Sequence, residues 1–194
     1  MIAFLRGNFV HKTPASVHVD VNGVGYEVLI SLNTYSKIQS LDKGMLLTYF
    51  HVREDGQTLF GFFELVEKEM FIQLISISGV GASTARMMLS SMKPEEIAKA
   101  ILNGNVKQLE SIKGIGKKTA ERIILELRDK IGKTMPETNI SPLINNTLER
   151  DALNALIALG IARPVAEQAI RKVLTGTTEP GKVEDIIKQA LKTL

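Results

Sequence analysis

The feature that most constrains the fold is an internal repeat at a spacing of 35 residues in the middle of the chain. Leu74-Ile-Ser-Ile-Ser-Gly-Val-Gly-Ala-Ser-Thr-Ala85 aligns with Leu109-Glu-Ser-Ile-Lys-Gly-Ile-Gly-Lys-Lys-Thr-Ala120, with Leu, Ser, Ile, both glycines, Thr and Ala in register. Such self-similarity indicates one supersecondary unit that occurs twice. Apolar residues around both copies recur at spacings of three and four, so each unit is predicted to be two helices joined by Gly-aliphatic-Gly.

Each residue type in this turn has a physical role. The first glycine is predicted to end the preceding helix with a positive φ, which glycine adopts without steric cost. The aliphatic residue packs into the core of the helix pair, and the second glycine, having no Cβ, lets the backbone approach another molecule. These positions are Gly79, Val80 and Gly81 in the first copy and Gly114, Ile115 and Gly116 in the second.

The helices after the two turns are predicted to begin at Ala82 and Lys117. Their first N–H groups and positive dipole ends are suited to anions. Two copies related by a pseudo-two-fold axis would bind the two phosphate backbones of a duplex without reading its bases. The alternative, that Gly-x-Gly merely joins packed helices, is disfavoured by the matched flanks. Further candidate DNA-binding side chains are Ser83, Lys117, Lys118, Thr119 and Arg122.

The first 63 residues instead follow the period of two that is typical of strands. Residues 16–30 alternate on both sides of Asn22-Gly23, a pair suited to a type I′ hairpin turn. A first strand is predicted at residues 2–10, and a second hairpin at residues 46–63 around Arg53-Glu-Asp-Gly56. Five short strands, with a polar segment at residues 31–40 between the third and fourth, predict a small closed barrel of the OB type.

The last third of the chain is predicted to be a separate small domain. Residues 134–147 are rich in proline and asparagine and have no sustained period, which indicates a flexible linker. From residue 148, Gly160 and Pro180-Gly181 separate three segments of helical spacing, which predicts a three-helix bundle. A tethered module of this kind can reach a moving partner. The predicted domains are therefore residues 1–63, 64–133 and 148–194, with the linker at 134–147.

The basic excess of the chain lies in the same segment as the repeat. The formal net charge is +3 over 194 residues. Residues 64–133 hold 12 basic and 9 acidic side chains, whereas residues 1–63 and 134–194 each have a net charge of zero. The excess is small, but it coincides with the predicted phosphate-binding turns.

Composition excludes several other classes of site. The absence of cysteine rules out disulfides, thiolate metal sites and cysteine nucleophiles, and it fits a cytoplasmic location. His11, His18 and His51 have no clustered carboxylates, so neither a metal site nor an acid–base site is predicted. No apolar run approaches the ~18 residues of a membrane helix.

Gly176-Thr-Thr-Glu-Pro-Gly-Lys182 approximates a P-loop but does not satisfy it. Val183 stands where the motif needs Ser or Thr for Mg²⁺, and no strand is predicted before it. The segment is therefore interpreted as a loop between helices. Without an ATP site, a cofactor site or a catalytic constellation, the chain is predicted not to be an enzyme by itself, and any ATPase must be a partner.

The two turns resemble tandem helix-hairpin-helix DNA-binding motifs, and the whole chain resembles the RuvA family of bacterial Holliday-junction branch-migration subunits. The segments that carry the resemblance are Arg53-Glu-Asp-Gly56, Gly79-Val-Gly81, Gly114-Ile-Gly-Lys-Lys-Thr-Ala-Glu-Arg122 and Ala155-Leu-Ile-Ala-Leu-Gly160. The implied fold is multidomain α+β, with an N-terminal OB-fold barrel, a central tandem helix-hairpin-helix domain, a linker and a UBA-like C-terminal three-helix bundle.

The resemblance also implies a function. It implies a homotetramer, or an octamer on DNA, that binds four-way junctions. The implied partners are the hexameric RuvB ATPase, recruited through residues 148–194, and the RuvC resolvase. The implied roles are in recombination, DNA repair and the SOS response. The alternatives are a helix-hairpin-helix DNA-repair enzyme of glycosylase or nuclease type and a scaffold that binds any duplex.

Two local expectations follow from the resemblance. Glu54 and Asp55 align with the acidic pin at the junction centre, where carboxylates held against crossing phosphates disfavour paired strands. The family often carries Pro-Lys directly after the first turn, whereas this chain has Ala82-Ser83. The first turn is therefore expected to bind more through backbone N–H groups and less through charge.

Overall fold

A computed structural model of the chain describes residues 1–54, 56–134, 145–176 and 182–193. The chain divides into two compact units, Met1–Pro136 and Glu137–Leu194. Within the described residues, no helix is long and apolar enough to cross a membrane. The fold class is α+β, as the sequence predicted.

The first unit begins with a closed five-stranded barrel. Its strands are β1 (Phe4–Lys12), β2 (Ser16–Val21), β3 (Val24–Ile30), β4 (Lys43–Arg53) and β5 (Gly56–Phe62), and their order around the barrel is β1-β2-β3-β5-β4. The pairing of β3 with β5 is parallel, and the other pairings are antiparallel. Asn22 and Gly23 have φ angles of 52° and 87°, so the predicted two-residue hairpin turn is confirmed.

Alternation fills the barrel, as a period of two requires. Val17 and Val19 point inward from β2, and Val28 and Ile30 point inward from β3. The complete barrel core consists of Leu5, Phe9, Val17, Val19, Val28, Ile30, Ile38, Leu46 and Leu59.

The polar segment between the third and fourth strands contains a helix that the sequence interpretation missed. Helix α1 (Leu32–Ile38) begins after Ser31, whose hydroxyl accepts a hydrogen bond from the Thr34 N–H at 3.0 Å. Thr34 and Ile38 are fully buried on its inner face. Seven residues make only two turns, which is too short for the helical period to appear among polar residues.

Five helices follow the barrel in the same compact unit. They are α2 (Leu65–Ile75), α3 (Ala82–Ser91), α4 (Pro94–Leu102), α5 (Val106–Glu110) and α6 (Lys117–Thr134). The helical segment and its short connections are as predicted, and α3 and α6 begin at the predicted residues.

The helices pack directly onto the barrel. Phe71 of α2 is fully buried, and its ring centroid lies 5.5 Å from Tyr49, 5.1 Å from Phe60 and 5.0 Å from Phe62, all of which are barrel residues. Such aromatic contacts add about 0.5–1.5 kcal/mol per pair beyond the burial of apolar area. The barrel and the helices therefore share apolar packing.

The second unit consists of three helices around a small core of its own. They are α7 (Asn145–Ala158), α8 (Arg163–Gly176) and α9 (Val183–Lys192). Gly160, with a φ of 89°, ends α7. The core contains Ala152, Leu156, Ala166, Ala169, Ile170, Val173, Ile186 and Ala190.

Two sequence predictions fall partly outside the described residues. The predicted linker spans 134–147, but α6 runs to Thr134, α7 begins at Asn145, and residues 135–144 are not among those described. The P-loop-like segment lies between the end of α8 at Gly176 and the start of α9 at Val183, and residues 177–181 are likewise outside.

Candidate nucleic-acid interface

The two Gly-aliphatic-Gly turns have the same backbone conformation. The first glycines, Gly79 and Gly114, have φ angles of 93° and 92°. An L-residue with a Cβ is strained at such angles, so glycine is required there by the backbone itself. The aliphatic residues, Val80 and Ile115, are each 5% exposed and contribute to the helical core. These predicted structural roles are confirmed.

The hydrogen bonds around the turns repeat as well. The N–H of the aliphatic residue donates to the carbonyl three residues earlier, at 3.0 Å in the first copy and 3.1 Å in the second. The N–H four residues after the second glycine donates to the carbonyl of that glycine, at 2.9 Å in the first copy and 3.0 Å in the second. In each copy a serine hydroxyl also donates to the carbonyl three residues before the serine, at 2.7 Å. The donor–acceptor pairs are Val80–Ile77, Ala85–Gly81 and Ser76–Gln73, then Ile115–Ile112, Ala120–Gly116 and Ser111–Gln108.

The second glycines have a different status from the first. Gly81 has a φ of −82° and a ψ of 166°, which any residue adopts, and Gly116 is not among the residues with positive φ. A Cβ built on either glycine meets no atom within 4 Å. Neither the backbone conformation nor the packing of the described residues therefore requires glycine at these positions. Both turns leave the space that a Cβ would fill open to another molecule.

The two turns differ in charge. Gly81 is the N-cap of α3 and makes no side-chain cap hydrogen bond, and the neighbouring Ser83 is exposed. In the second copy Lys117 and Lys118 are exposed, and Thr119 is half-buried. The second turn therefore presents two exposed ammonium groups where the first presents an exposed hydroxyl.

Arg122 differs from the two lysines in having an acidic neighbour. Its Nε donates to the Glu126 carboxylate at 2.8 Å, one helical turn later, and both side chains are exposed by a third or more. An exposed pair of this kind contributes only about 0.3–0.5 kcal/mol. Arg122 can therefore exchange Glu126 for a phosphate at little cost.

The acidic tip sits at the end of the longest hairpin of the barrel. Arg53 of β4 pairs with Gly56 of β5, so Glu54 lies at the tip of a two-residue connection, and its side chain is exposed. Asp55 lies outside the described residues. The hairpin thus presents Glu54 away from the barrel core.

A cleft joins this hairpin to the first turn, which the sequence interpretation did not foresee. It is lined by Leu29, His51, Arg53, Gly56, Thr58, Phe60, Gly81, Ala82 and Ser83. Arg53 Nε donates to His51 Nε2 at 2.8 Å on the outer face of β4. The base of the acidic hairpin and the start of α3 are therefore neighbours, although they are separated by about thirty residues in the chain.

The other histidines lie apart from this cleft. His11 and His18 face each other on β1 and β2, with ring centroids 5.1 Å apart. No group of three or more His, Asp or Glu side chains among the described residues is arranged to hold a metal ion.

A closed OB-type barrel that carries two matched helix-hairpin-helix turns defines a class of DNA-binding protein. Family models match the chain in three places: the RuvA N-terminal domain at residues 1–61, the SAM-like helix-hairpin-helix tandem at 71–129 and the RuvA C-terminal domain at 147–194. The chain belongs to the RuvA family.

Full-length relatives support this assignment. The chain is 46% identical over 198 residues to a protein of Cytophaga hutchinsonii, covering 99% of each chain. It is 46% identical to a protein of Flavobacterium psychrophilum and 45% identical to one of Christiangramia forsetii, with complete coverage of each chain. Each of these relatives is described as Holliday junction branch migration complex subunit RuvA.

Proposed function

We propose that this chain is a non-catalytic DNA-binding subunit that recognises four-way junctions as a homotetramer and recruits an ATPase motor for branch migration. The observation that carries the proposal is the pair of second glycines, Gly81 and Gly116. Nothing within 4 Å accounts for the missing Cβ atoms, yet both copies of the repeat have glycine. Close approach of a phosphate backbone supplies the reason.

The proposed DNA contacts are divided unequally between the turns. Backbone N–H groups after Gly81 and Gly116 donate to phosphate oxygens, with the positive ends of α3 and α6 behind them. The exposed ammonium groups of Lys117 and Lys118 add charge at the second turn, together with Thr119 and Arg122. The first turn contributes the Ser83 hydroxyl in place of a lysine. These contacts position the DNA arms, and they do not read sequence.

The acidic tip acts by repulsion in this proposal. The exposed Glu54 carboxylate, with Asp55 beside it in sequence, faces phosphates where strands cross. Like charges in close proximity disfavour paired strands at that point and also weaken binding. The tip therefore promotes strand exchange at the expense of affinity.

The second compact unit is proposed to bind the motor. Residues 148–194 have a core of their own and match a distinct family domain. The proposed partner is the hexameric RuvB ATPase, which supplies the ATP hydrolysis. This arrangement assigns DNA binding to the first unit and recruitment to the second.

A competition between DNA structures tests the proposal. Labelled four-way junction bound to the full chain is displaced by unlabelled junction or by linear duplex at ~150 mM salt, where loose phosphate binding is suppressed. Displacement at much lower concentrations of junction than of duplex is expected, together with four chains per complex by light scattering. Equal displacement would contradict the proposal, and scission of either DNA in the presence of Mg²⁺ would favour a repair enzyme.

A further inference from the structure

Helix α1, which the sequence interpretation missed, contacts both helices of the first helix-hairpin-helix motif. It connects β3 to β4 and is therefore part of the barrel. Its polar groups contact α2 and α3, in addition to the packing of Phe71 of α2 on the barrel.

Helices α1 and α3 cap each other. The Leu32 N–H, at the start of α1, donates to Ser90 Oγ at 3.1 Å. The Asn33 amide donates to the carbonyls of Leu89 at 2.6 Å and Met92 at 3.1 Å, at the end of α3. The first N–H groups and the last carbonyls of a helix have no partner within it. Each helix therefore supplies a polar partner for backbone groups that are unpaired at the end of the other helix.

Helices α1 and α2 are joined by a buried carboxylate. Glu67 of α2 is 3% exposed, and its two oxygens accept hydrogen bonds from the Ser31 hydroxyl and, at 2.7 Å, the Thr34 hydroxyl. Both hydroxyl oxygens also accept backbone N–H groups, from Thr34 at 3.0 Å and Phe63 at 3.1 Å. The hydroxyl hydrogens of Ser31 and Thr34 are therefore directed at Glu67, so neither hydroxyl can rotate without losing a hydrogen bond.

Two contacts extend this attachment at the surface. Lys37 of α1 forms an ion pair with Glu64, immediately before α2. Arg86 of α3 donates to the carbonyl of Ala15, in the connection from β1 to β2, at 2.9 Å. The second helix-hairpin-helix motif, formed by α5 and α6, instead packs on α4.

We propose that α1 is the positioning element that fixes the first hairpin relative to the acidic tip, and that Asn33 is its principal residue. The inference rests on the proposed junction-binding function. Linear duplex requires only that phosphates meet the turns. A junction also requires the arms to reach the turns while the crossing strands lie at the tip, so the angle between hairpin and barrel matters for junction alone.

The experiment compares alanine substitutions at three positions. Asn33→Ala removes the two hydrogen bonds to the end of α3. Asn105→Ala removes the N-cap of α5 in the second helix-hairpin-helix motif, where the Asn105 side chain accepts a hydrogen bond from the Gln108 N–H at 3.2 Å. This hydrogen bond does not involve the barrel. Ser90→Ala removes the other half of the reciprocal cap. Affinities for junction and for linear duplex are measured with each full-length variant.

The ratio of junction affinity to duplex affinity is the informative quantity. Asn33→Ala is expected to lower it by about five- to tenfold, because a first motif freed of two hydrogen bonds must be ordered again when junction binds, but not when duplex binds. Ser90→Ala is expected to lower it in the same direction, and it decides the question if Asn33→Ala does not fold. Asn105→Ala is expected to change both affinities together and leave the ratio unaltered.

Three results would overturn the inference. An unchanged ratio in a folded Asn33→Ala protein would show that the angle does not matter. An equal fall in the ratio with Asn105→Ala would show that any loss of a cap is sufficient. A wild-type chain that binds junction and duplex equally would remove the proposed function itself, and the inference with it.

Discussion

At the scale of single residues, the repeat contains two kinds of glycine with different physical causes. Gly114 has a φ of 92°, so a side chain there strains the backbone. Gly116 has no positive φ, and no atom lies within 4 Å of the position that a Cβ would take there. The sequence pattern predicted both roles because each depends on the turn alone. The fold explains the first glycine, and close approach of DNA is the proposed reason for the second.

This difference predicts that alanine substitution lowers the stability of the fold at Gly114 and the affinity for DNA at Gly116. Gly114→Ala should lower the free energy of unfolding by about 1–2 kcal/mol. Gly116→Ala should change it by no more than about 1 kcal/mol, because reduced entropy of the unfolded chain and a weaker N-cap oppose each other. It should nevertheless reduce DNA affinity by roughly tenfold. Urea unfolding and DNA titration of both variants test this, and unchanged affinity of Gly116→Ala would refute the contact.

Glu67 provides a second prediction at this scale. Burial raises the pKa of Glu67, and hydrogen bonds from Ser31 and Thr34 lower it in part. The folded state then holds the proton at pH values above the ordinary pKa of 4.5, where the unfolded chain has released it. Stability contributed by protonated Glu67 is therefore lost as the pH rises through this window.

The measurement is urea unfolding of wild type and Glu67→Gln between about pH 4 and pH 8. This range begins near the ordinary pKa of a glutamate carboxyl and extends above it, where the folded and unfolded states differ in protonation. Wild type should lose stability relative to Glu67→Gln as the pH rises, because glutamine does not titrate. A difference between the two proteins that is constant with pH would contradict a raised pKa in the folded state.

At the scale of elements, the two helix-hairpin-helix turns have the same backbone conformation but differ in charge. The first turn has the exposed Ser83 where the second has Lys118. Ser83→Lys should therefore increase DNA affinity and make the slope of log affinity against log salt steeper by about 0.9, the value for one further phosphate neutralised. Titrations at several salt concentrations measure the slope. An unaltered slope would place Ser83 away from the DNA.

The acidic hairpin is the second element with a specific prediction. Neutralising the tip with Glu54→Gln and Asp55→Asn removes the proposed repulsion of crossing phosphates. Junction binding should remain intact or become tighter, while the rate of branch migration with the motor present should change. Gel-shift and strand-exchange assays report the two quantities. If both affinity and migration rate match wild type, the tip has no role in strand crossing.

Elements also show where prediction from the sequence ended. The hairpin at Asn22-Gly23 and the starts of α3 and α6 were predicted, because local turn chemistry determines them. Helix α1 was missed, because its seven residues are too few to show a helical period and its buried partner Glu67 lies 33 to 36 residues away in the chain. The cleft between His51 and Gly81 was missed for the same reason. Contacts distant in sequence leave no periodic signal.

At the scale of the whole molecule, the chain divides into two compact units, to which the proposed function assigns different tasks. The net charge of +3 lies entirely in residues 64–133, the segment that contains both turns. Four copies in a tetramer would bring four such segments to one DNA molecule, so a modest excess per chain becomes a substantial positive field. Affinity for junction should accordingly fall steeply with salt.

The most direct test combines both turns in one competition. Wild type and the double variant Gly81→Ala, Gly116→Ala are compared for displacement of labelled four-way junction by unlabelled linear duplex of the same arm sequence at ~150 mM salt. The account predicts that wild type prefers the junction strongly, and that the double variant loses affinity for both DNAs while its unfolding curve stays close to that of wild type. Equal affinity of wild type for junction and duplex, or wild-type binding by the double variant, would contradict it.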